Sequence, residues 1–414
     1  MKKHSSFLES GELSTKEAKP MRRESQEVMS ELVAQLKKQM DRERVVGPEA
    51  DEGVADWERP NLDRLTVGVD VGDRWSNYCV LGLGGKTLAE GQFRTQPEEV
   101  RGFFHGLAQS RVVMEVGTHS AWMREVVAGL GHEVLVANAR RMQGSRRRRR
   151  KNDRIDAARL ARLGRVDPKS LYPIQHRSTE VRDDLLVVRA REVLVESRTK
   201  LINAVRSMVK TMGARVPSSS SEAFSRKAAA AIPQQIRDTA QPLLDLISKL
   251  TEEIKCYEQR IEQLAREKYQ HTQLLRQVSG VGPVTSLAYV LTLETPLRFK
   301  KSRDVGPYVG LAPKQEDSGD IQPQLGISKA GDRMLRKLLV GSAHYILGPF
   351  GPDCDLRRFG NRLYEHGGKN AKKRATVAVA RKLAVLLHRL WISGEAYEPL
   401  GYVPCRNTAQ TATA

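Results

Sequence analysis

Four carboxylates occupy positions where residue type and spacing would let them work together. Asp70 shares the parity of Gly68 and Gly72 in the run Thr66-Val67-Gly68-Val69-Asp70-Val71-Gly72, opposite to Val67, Val69 and Val71. It leaves a strand on a face kept clear of bulk, which suits a metal ion or a phosphate, though an aspartate that simply ends a strand reads the same way. Glu115 lies in a second apolar strand between Met114 and Val116, where a buried carboxylate needs a cation, a hydrogen bond or water. Asp153 and Asp156 are three apart in a helix predicted over Asp153 to Leu163, hence on one face near its N-terminus. An N-cap and a helix-dipole partner are their plainer duties. If the four converge, they repel one another unless divalent cations neutralise them. Hard oxygen ligands favour Mg²⁺ or Mn²⁺, and two such ions about 4 Å apart can clamp the attacking and leaving oxygens of a phosphodiester.

Basic residues stand close by. Arg146, Arg147, Arg148, Arg149, Arg150 and Lys151 run consecutively towards Asp153, a density that attracts phosphates unless it is a localisation signal or a solvated face. Later, Arg333, Arg336 and Lys337 fall on one helical face, and Lys369, Lys372, Lys373 and Arg374 form another cluster; both read as nucleic-acid contacts or as solvated faces. Residues Leu274 to Thr285 contain Gly280-Val281-Gly282, the turn of a helix-hairpin-helix. Its glycines allow close backbone approach, and the second helix offers N–H groups to a phosphate; an ordinary tight turn between helices is the alternative. Ser318 lies in the irregular segment from Gly310 to Lys329, where an exposed serine can reach a substrate, although most loop serines cap or solvate.

The elements that must position these groups follow from periodicity. A strand at Thr66–Gly72 is followed by strands over Asn77–Leu83 and Lys86–Arg94 around Gly84-Gly85, a helix from Pro97 to Ala108, a strand at Arg111–Val116, a helix from Ser120 to Leu130 and a strand at Glu133–Ala137. The order β-β-β-α-β-α-β predicts an α/β ribonuclease H-like domain over residues 64–180. Residues 181–270 read as a helical coiled-coil hairpin, broken by the loop around Val216-Pro217-Ser218. Its second arm carries Leu243, Ile247, Leu250, Ile254, Tyr257, Ile261 and Leu264 at 4-3 spacing. Its first carries Leu194, Leu201, Val205, Met208 and Met212, with Arg198 interrupting. Such stripes pack either between chains or within one. Residues 271–395 read as a mainly α C-terminal domain, 1–60 as a flexible N-terminal extension and 396–414 as a flexible tail.

Composition narrows the partners. Of 414 residues, 69 are Lys or Arg and 49 Asp or Glu, a net charge of +20 that points to a polyanion. Residues 1 to 65 hold 12 Lys/Arg against 14 Asp/Glu, so the basic surface lies beyond them. Aromatics at 5% argue against wide stacking platforms for single strands. The apolar runs are far shorter than the ~20 residues that cross a bilayer, and no signal-peptide apolar region opens the chain, so a cytoplasmic, soluble protein without a membrane partner is expected. Cys79, Cys256, Cys354 and Cys405 form no CxxC pair and suggest neither zinc nor a disulfide framework.

The ensemble of motifs resembles the DEDD transposases of bacterial insertion sequences. Val67-Gly68-Val69-Asp70, Met114-Glu115-Val116-Gly117-Thr118 and Lys151-Asn152-Asp153-Arg154-Ile155-Asp156-Ala157 are similar to that family's first domain. Gly280-Val281-Gly282-Pro283, Gly310-Leu311-Ala312-Pro313 and Ile327-Ser328-Lys329-Ala330-Gly331-Asp332 are similar to its second. The resemblance covers about residues 66 to 393. It implies a RuvC-like catalytic domain, a coiled-coil connector and a C-terminal transposase domain. Such a protein acts as a homo-oligomer, a dimer or tetramer, near the nucleoid on insertion-element donor and target DNA, guided by a structured bridge RNA. It further implies that Asp70, Glu115, Asp153 and Asp156 hold Mg²⁺. Ser318 matches the serine that forms a covalent phosphoserine linkage to DNA. Here Asp317 and Asp320 flank that serine, and carboxylates beside a scissile phosphate need screening. Two rival readings of the same residues remain: a metal-dependent, structure-selective DNA nuclease that uses water, and a non-catalytic nucleic-acid-binding protein.

Overall fold

The structure, a computed structural model, describes residues 55–142, 153–314, 325–368 and 370–401. Chain packing divides it into two compact units, Met1–His176 and Arg177–Ala414.

In the first unit, strands β1 (Leu65–Asp70), β2 (Trp75–Leu81), β3 (Thr87–Arg94), β4 (Ser110–Glu115) and β5 (Glu133–Ala137) form one mixed sheet in the order β3-β2-β1-β4-β5. The two hairpin connections pair β1 with β2 and β2 with β3 antiparallel, while β4 and β5 add parallel to β1 on its other side. Sheet order and strand directions are compatible with the ribonuclease H-like arrangement predicted from the sequence. Helices α1 (Pro97–His105) and α2 (Ser120–Gly129) cover one face of the sheet. There Val67, Val69, Val80, Phe93, Phe103, Phe104, Val112 and Met114 form the core, and Phe103 and Phe104 meet edge-on at 4.9 Å between centroids.

The other face belongs to α3 (Asp153–Val166), and small residues let it come close. A Cβ built on Gly68 would lie 2.0 Å from the Ala157 carbonyl oxygen and 2.5 Å from the Ala161 nitrogen, so only glycine is tolerated beneath this helix. Likewise a Cβ on Gly164 would lie 2.2 Å from Val113 Cγ2. At the far end of α3, the buried Arg111 guanidinium donates to both Glu133 carboxylate oxygens, at 2.9 and 3.0 Å, and to the carbonyls of Gly164 and Arg59. Arg165 donates to the carbonyls of Asn61 and Leu83, and the Asn61 amide donates to Leu65 O and Thr66 Oγ1. The Arg59 carbonyl is bonded into the unit, and Asn61 is buried there.

The second unit is helical. Helices α4 (Thr179–Thr211) and α6 (Arg237–Glu267) lie antiparallel, joined by a connection that contains the short α5 (Phe224–Ala229). Ile202, Val205 and Val209 pack with Leu244, Ile247, Phe224 and Ile232, and Arg198 donates to Thr251 Oγ1. The apolar stripes are thus satisfied within one chain. Ile247, Ile254 and Ile261 are buried, while Leu243, Leu250, Tyr257 and Leu264 are half-buried along their flank. The core continues through α7 (His271–Leu275), α8 (Pro283–Leu293), α9 (Val305–Tyr308), α10 (Arg333–Leu347), α11 (Asp355–Glu365) and α12 (Ala371–Ser393). Residues after α12 are bonded to this unit: Tyr397 N donates to Gln277 Oε1, and the Pro399 carbonyl accepts from Asp355 N. Among the described residues no helix is long and apolar enough to cross a membrane.

Two imidazoles are built into these cores as neutral struts. His132 Nδ1 accepts from Ser110 N while Nε2 lies 3.0 Å from the Phe104 carbonyl; His388 Nε2 lies 2.9 Å from the Pro296 carbonyl and Nδ1 2.9 Å from Ser302 Oγ. Burial holds both below the ordinary histidine pKa of 6.5. The unfolded chain therefore binds more protons in mild acid, and stability fully present above pH 6.5 falls as pH drops through and below it. Thermal melting followed from pH 7.5 to about pH 5 is expected to show a falling midpoint, with a shallower fall in a His132→Asn/His388→Asn variant.

Candidate active site

Asp70 and Glu115 are the last residues of neighbouring parallel strands. The β1–β4 register pairs Val69 with Met114, so the two carboxylates sit on the next rung at the C-terminal edge of the sheet. Both share the face that carries α3, since side chains alternate: Gly68 lies under Ala157 and Ala161, and Val113 lies against Gly164. Asp156 arrives from above. It sits in the first turn of α3, one turn before Leu160, which packs with Val113, Leu135 and Ala137 over β4 and β5. The helix runs opposite to β1 and β4, so its first turn lies at the edge where their carboxylates end, and the positive end of its dipole favours anions there. Asp70, Glu115 and Asp156 are all half-buried. Asp153 is the first residue of α3, and its side chain lies outside the described residues.

Three further side chains at this edge escaped the sequence analysis. Asn77 pairs with Asp70 across β1 and β2 and therefore projects on the same face. Asp73 follows β1 and His119 follows β4; their side chains approach to 3.5 Å, His119 Nε2 to Asp73 Oδ1. Trp122 Nε1 donates to His119 Nδ1 at 3.1 Å, so a neutral His119 carries its proton on Nε2, facing Asp73. The pair ties together the two loops that follow the carboxylates. The available signal was positional: loops beyond the carboxyl ends of parallel strands border the crevice in sheets of this kind.

The donor set fits a hard divalent cation: carboxylate oxygens on one face and one edge, with an amide alongside. Among the described residues no three His, Cys, Asp or Glu side chains are gathered into a closed ligand cluster, and Asp153 is not among those counted.

The second unit carries a groove of 1490 Å³. Leu311, Ile327, Leu356, Phe359, Val377 and Leu386 lie along it with Lys314, Lys329, Lys373, Arg374, Arg381, Lys382 and Arg389, and Asp355 is the one lining carboxylate among the described residues. Lys382 Nζ stands 3.8 Å from the Phe359 ring centroid. One wall is a strand-like pair in which Lys314 N donates to Gly326 O and Ser328 N to Ala312 O, with Pro313 bridged to Ile327. Ser318 itself, like Arg146 to Lys151 and Lys369, lies outside the described residues.

The other basic and glycine positions divide. Lys372, Lys373 and Arg374 are exposed at the start of α12, and Arg333 is exposed at the start of α10. Lys329 is exposed with φ of 54°, beside Gly331 in the tight turn before α10. Arg336 instead donates to the carbonyls of Val309 and Ala330, and Lys337 is ion-paired with Glu192 and Glu196. Arg336 is half-buried and bonded to backbone carbonyls, whereas Lys337 is exposed at its ion pairs. Gly280 has φ of 85°, and a Cβ there would come within 3.0 Å of Tyr345 and 3.1 Å of the Ser342 carbonyl, so packing against α10 already requires glycine. Gly282 has open space around it and precedes Pro283 as the N-cap of α8. The first helix of this proposed hairpin pair, α7, is a single turn of five residues.

Two family models match this chain. One, described as a transposase and belonging to the DEDD class of the IS110 group, covers residues 67–213; the other, described as the transposase IS116/IS110/IS902 family, covers residues 272–350. Among curated relatives, the transposase for insertion sequence element IS1111A of Coxiella burnetii is 26% identical over 82% of this chain and 93% of its own length. A probable family 20 transposase of Pseudomonas aeruginosa is 27% identical over 73% of this chain and 89% of its own. The transposase for insertion sequence element IS1328 of Yersinia enterocolitica is 25% identical over 70% and 85% respectively.

The close contact at Gly68 gives a direct test of how the edge is assembled. Gly68→Ala is expected to push α3 off β1, destabilise the protein by about 3 kcal/mol and separate Asp156 from Asp70. Denaturant unfolding reads the first effect and divalent-metal titration of the folded fraction the second.

Proposed function

The chain belongs to the IS110 family of insertion-sequence transposases, and from that premise we propose that it cuts and rejoins insertion-element DNA with a carboxylate-held metal and a serine nucleophile. The observation that carries this reading is that Asp70 and Glu115 end adjacent parallel strands under the first turn of α3, where Asp156 lies. In the proposal Asp70, Glu115, Asp153 and Asp156 hold Mg²⁺, or Mn²⁺ in its place. When bound, such a cation supplies charge neutralisation at the scissile phosphate and lowers the pKa of a hydroxyl beside it.

The chain's own residues do the remaining work. Asn77 offers an amide to orient a carboxylate or a phosphate oxygen, and the His119–Asp73 pair fixes the separation of the loops that follow the two carboxylates. Ser318 is the proposed nucleophile: its hydroxyl oxygen attacks phosphorus, the bridging oxygen of the DNA strand leaves with a proton, and a phosphoserine bond conserves the energy needed for rejoining. Support comes from the chain on either side, since Lys314 and Leu325, four residues before and seven after Ser318, both line the basic groove. Lys373, Arg374, Arg381 and Arg389 would hold backbone phosphates there, and the run from Arg146 to Lys151 would do so beside the carboxylates. Phosphate contacts position a strand without reading its sequence, so the proposal assigns site choice to a bridge RNA that pairs with donor and target DNA. Assembly of several chains completes it: Leu186 and Val193, one heptad apart on α4, are 57% and 61% exposed although the hairpin core is filled.

The test uses the purified protein with the RNA transcribed from its element's flank, end-labelled donor DNA and Mg²⁺, resolved on denaturing gels. A protein–DNA adduct is expected with the native chain and none with Ser318→Ala. Cleaved DNA without an adduct in either sample would replace this mechanism with hydrolysis by water. Asp70→Asn and Glu115→Gln are each expected to slow cleavage by about 100-fold or more while leaving DNA binding intact in a filter or mobility assay.

A further inference from the structure

Trp75 opens β2 with 40% of its surface exposed, an unusual place to leave an indole in water. The β2 register puts it on the same sheet face as Asn77, and hence as Asp70. Further along this face of β2, Cys79 and Leu81 are buried beneath Ala157 and Ala161 of α3, whereas Trp75 is left exposed. Its partner across the β2–β3 ladder is Arg94, exposed, with the guanidinium carbon 5.3 Å from the indole centroid. Asp70, Asn77 and Gln92 share one rung across β1, β2 and β3, two residues along the strands from the rung of Trp75 and Arg94. Strand spacing and rise put Trp75 roughly 8 Å from Asp70, beyond the carboxylate edge of the sheet.

This corner is rigid. Thr95 Oγ1 donates to the Gly72 carbonyl and meets Ser76 Oγ at 2.8 Å, and Thr95 N donates to Arg74 O. Gly72 passes so near β2 that a Cβ on it would lie 2.2 Å from the Trp75 carbonyl oxygen. The Trp75 backbone is thus held in place by the turn behind it.

We infer that Trp75 and Arg94 form a binding site for an unpaired nucleotide of the strand that enters the carboxylate edge. A flat apolar ring matches the face of a base, and an adjacent guanidinium matches its phosphate. Within a duplex each base face is already covered by its neighbours, so the ligand is an unpaired or extruded base, in DNA or in RNA. Asn77, beside Asp70 and two residues from Trp75 along β2, supplies an amide to the intervening sugar-phosphate. This inference rests on the reading that the carboxylate edge acts on a phosphodiester, and it adds that the strand beside that edge is not base-paired.

The experiment measures binding of fluorescent oligonucleotides by the full-length protein in EDTA, so that no cleavage intervenes. Single-stranded DNA, single-stranded RNA and a blunt DNA duplex are each titrated against the native chain, Trp75→Ala, Trp75→Phe and Arg94→Gln. Trp75→Ala is expected to weaken binding of at least one unpaired oligonucleotide by about 5- to 100-fold with duplex binding unchanged; which one loses affinity identifies the strand. Trp75→Phe, which keeps a ring, is expected to retain most of the affinity, and Arg94→Gln to lower the salt dependence by about one counterion. Because Trp75 is exposed, an unaltered melting temperature checks the fold of each variant. Native-like binding of both unpaired strands by Trp75→Ala, or equal losses for duplex and unpaired strands, would reduce the pair to an edge clasp and overturn the inference alone. Failure of the native chain to bind any of the three would overturn it together with the reading of the carboxylate edge.

Discussion

The first unit depends on how near one helix can come to one strand. Gly68 has no side chain, and α3 uses that space, with the Ala157 carbonyl and the Ala161 backbone where any other residue's Cβ would be. Distance along the helix axis then matters: with the middle of α3 pinned at Gly68 and its end pinned by Arg111 and Arg165, the first turn has one place to lie, above the C-terminal ends of β1 and β4. The carboxylates that end those strands and the one that begins the helix share an edge because of a glycine two residues before the first of them. Clustered negative charge is unfavourable in a folded chain, and the tight apolar and small-residue packing behind the edge is what holds it there.

The two units answer different needs. The first is a sheet covered on both faces that holds acidic groups in register at one edge, with a His119–Asp73 contact between the loops beside them. The second is an all-helical body whose long hairpin satisfies its own apolar stripes and whose C-terminal helices expose a basic groove. Charge is distributed accordingly. Buried or paired cations such as Arg111, Arg336 and Lys337 belong to the fold, whereas Lys373, Arg374 and Arg389 stand in the groove where a polyanion can reach them.

Much was legible in the chain itself. The alternation around Asp70 announced a strand, and Gly84-Gly85 a hairpin; the order of strands and helices announced the sheet, because period 2 and period 3.6 are imposed by backbone geometry before any packing occurs. The amphipathic stripes of the hairpin were equally clear, but whether they faced another chain or each other was not: apolar periodicity says that a face must be covered and is silent about by what. Arg336 and Lys337 show the same limit for charge. Their spacing placed them on one helical face, and only the fold shows that Arg336 is bonded to backbone carbonyls while Lys337, still exposed, is paired with glutamates.

Asn77, Asp73, His119 and Trp75 were invisible as a group, since their connection runs through strand register and loop proximity rather than through spacing along the chain. The sequence by itself determined which residue types were available, the secondary structure that carries them and, through ordered motifs in two domains, the family. Tertiary structure decided which carboxylates share an edge, which cations remain free for a ligand and which apolar stripes are already satisfied. The physical reason is that local periodicity is fixed by backbone sterics within a few residues. Convergence is fixed instead by contacts between residues far apart in the chain, such as Gly68 and Ala157, whose pairing no local pattern encodes.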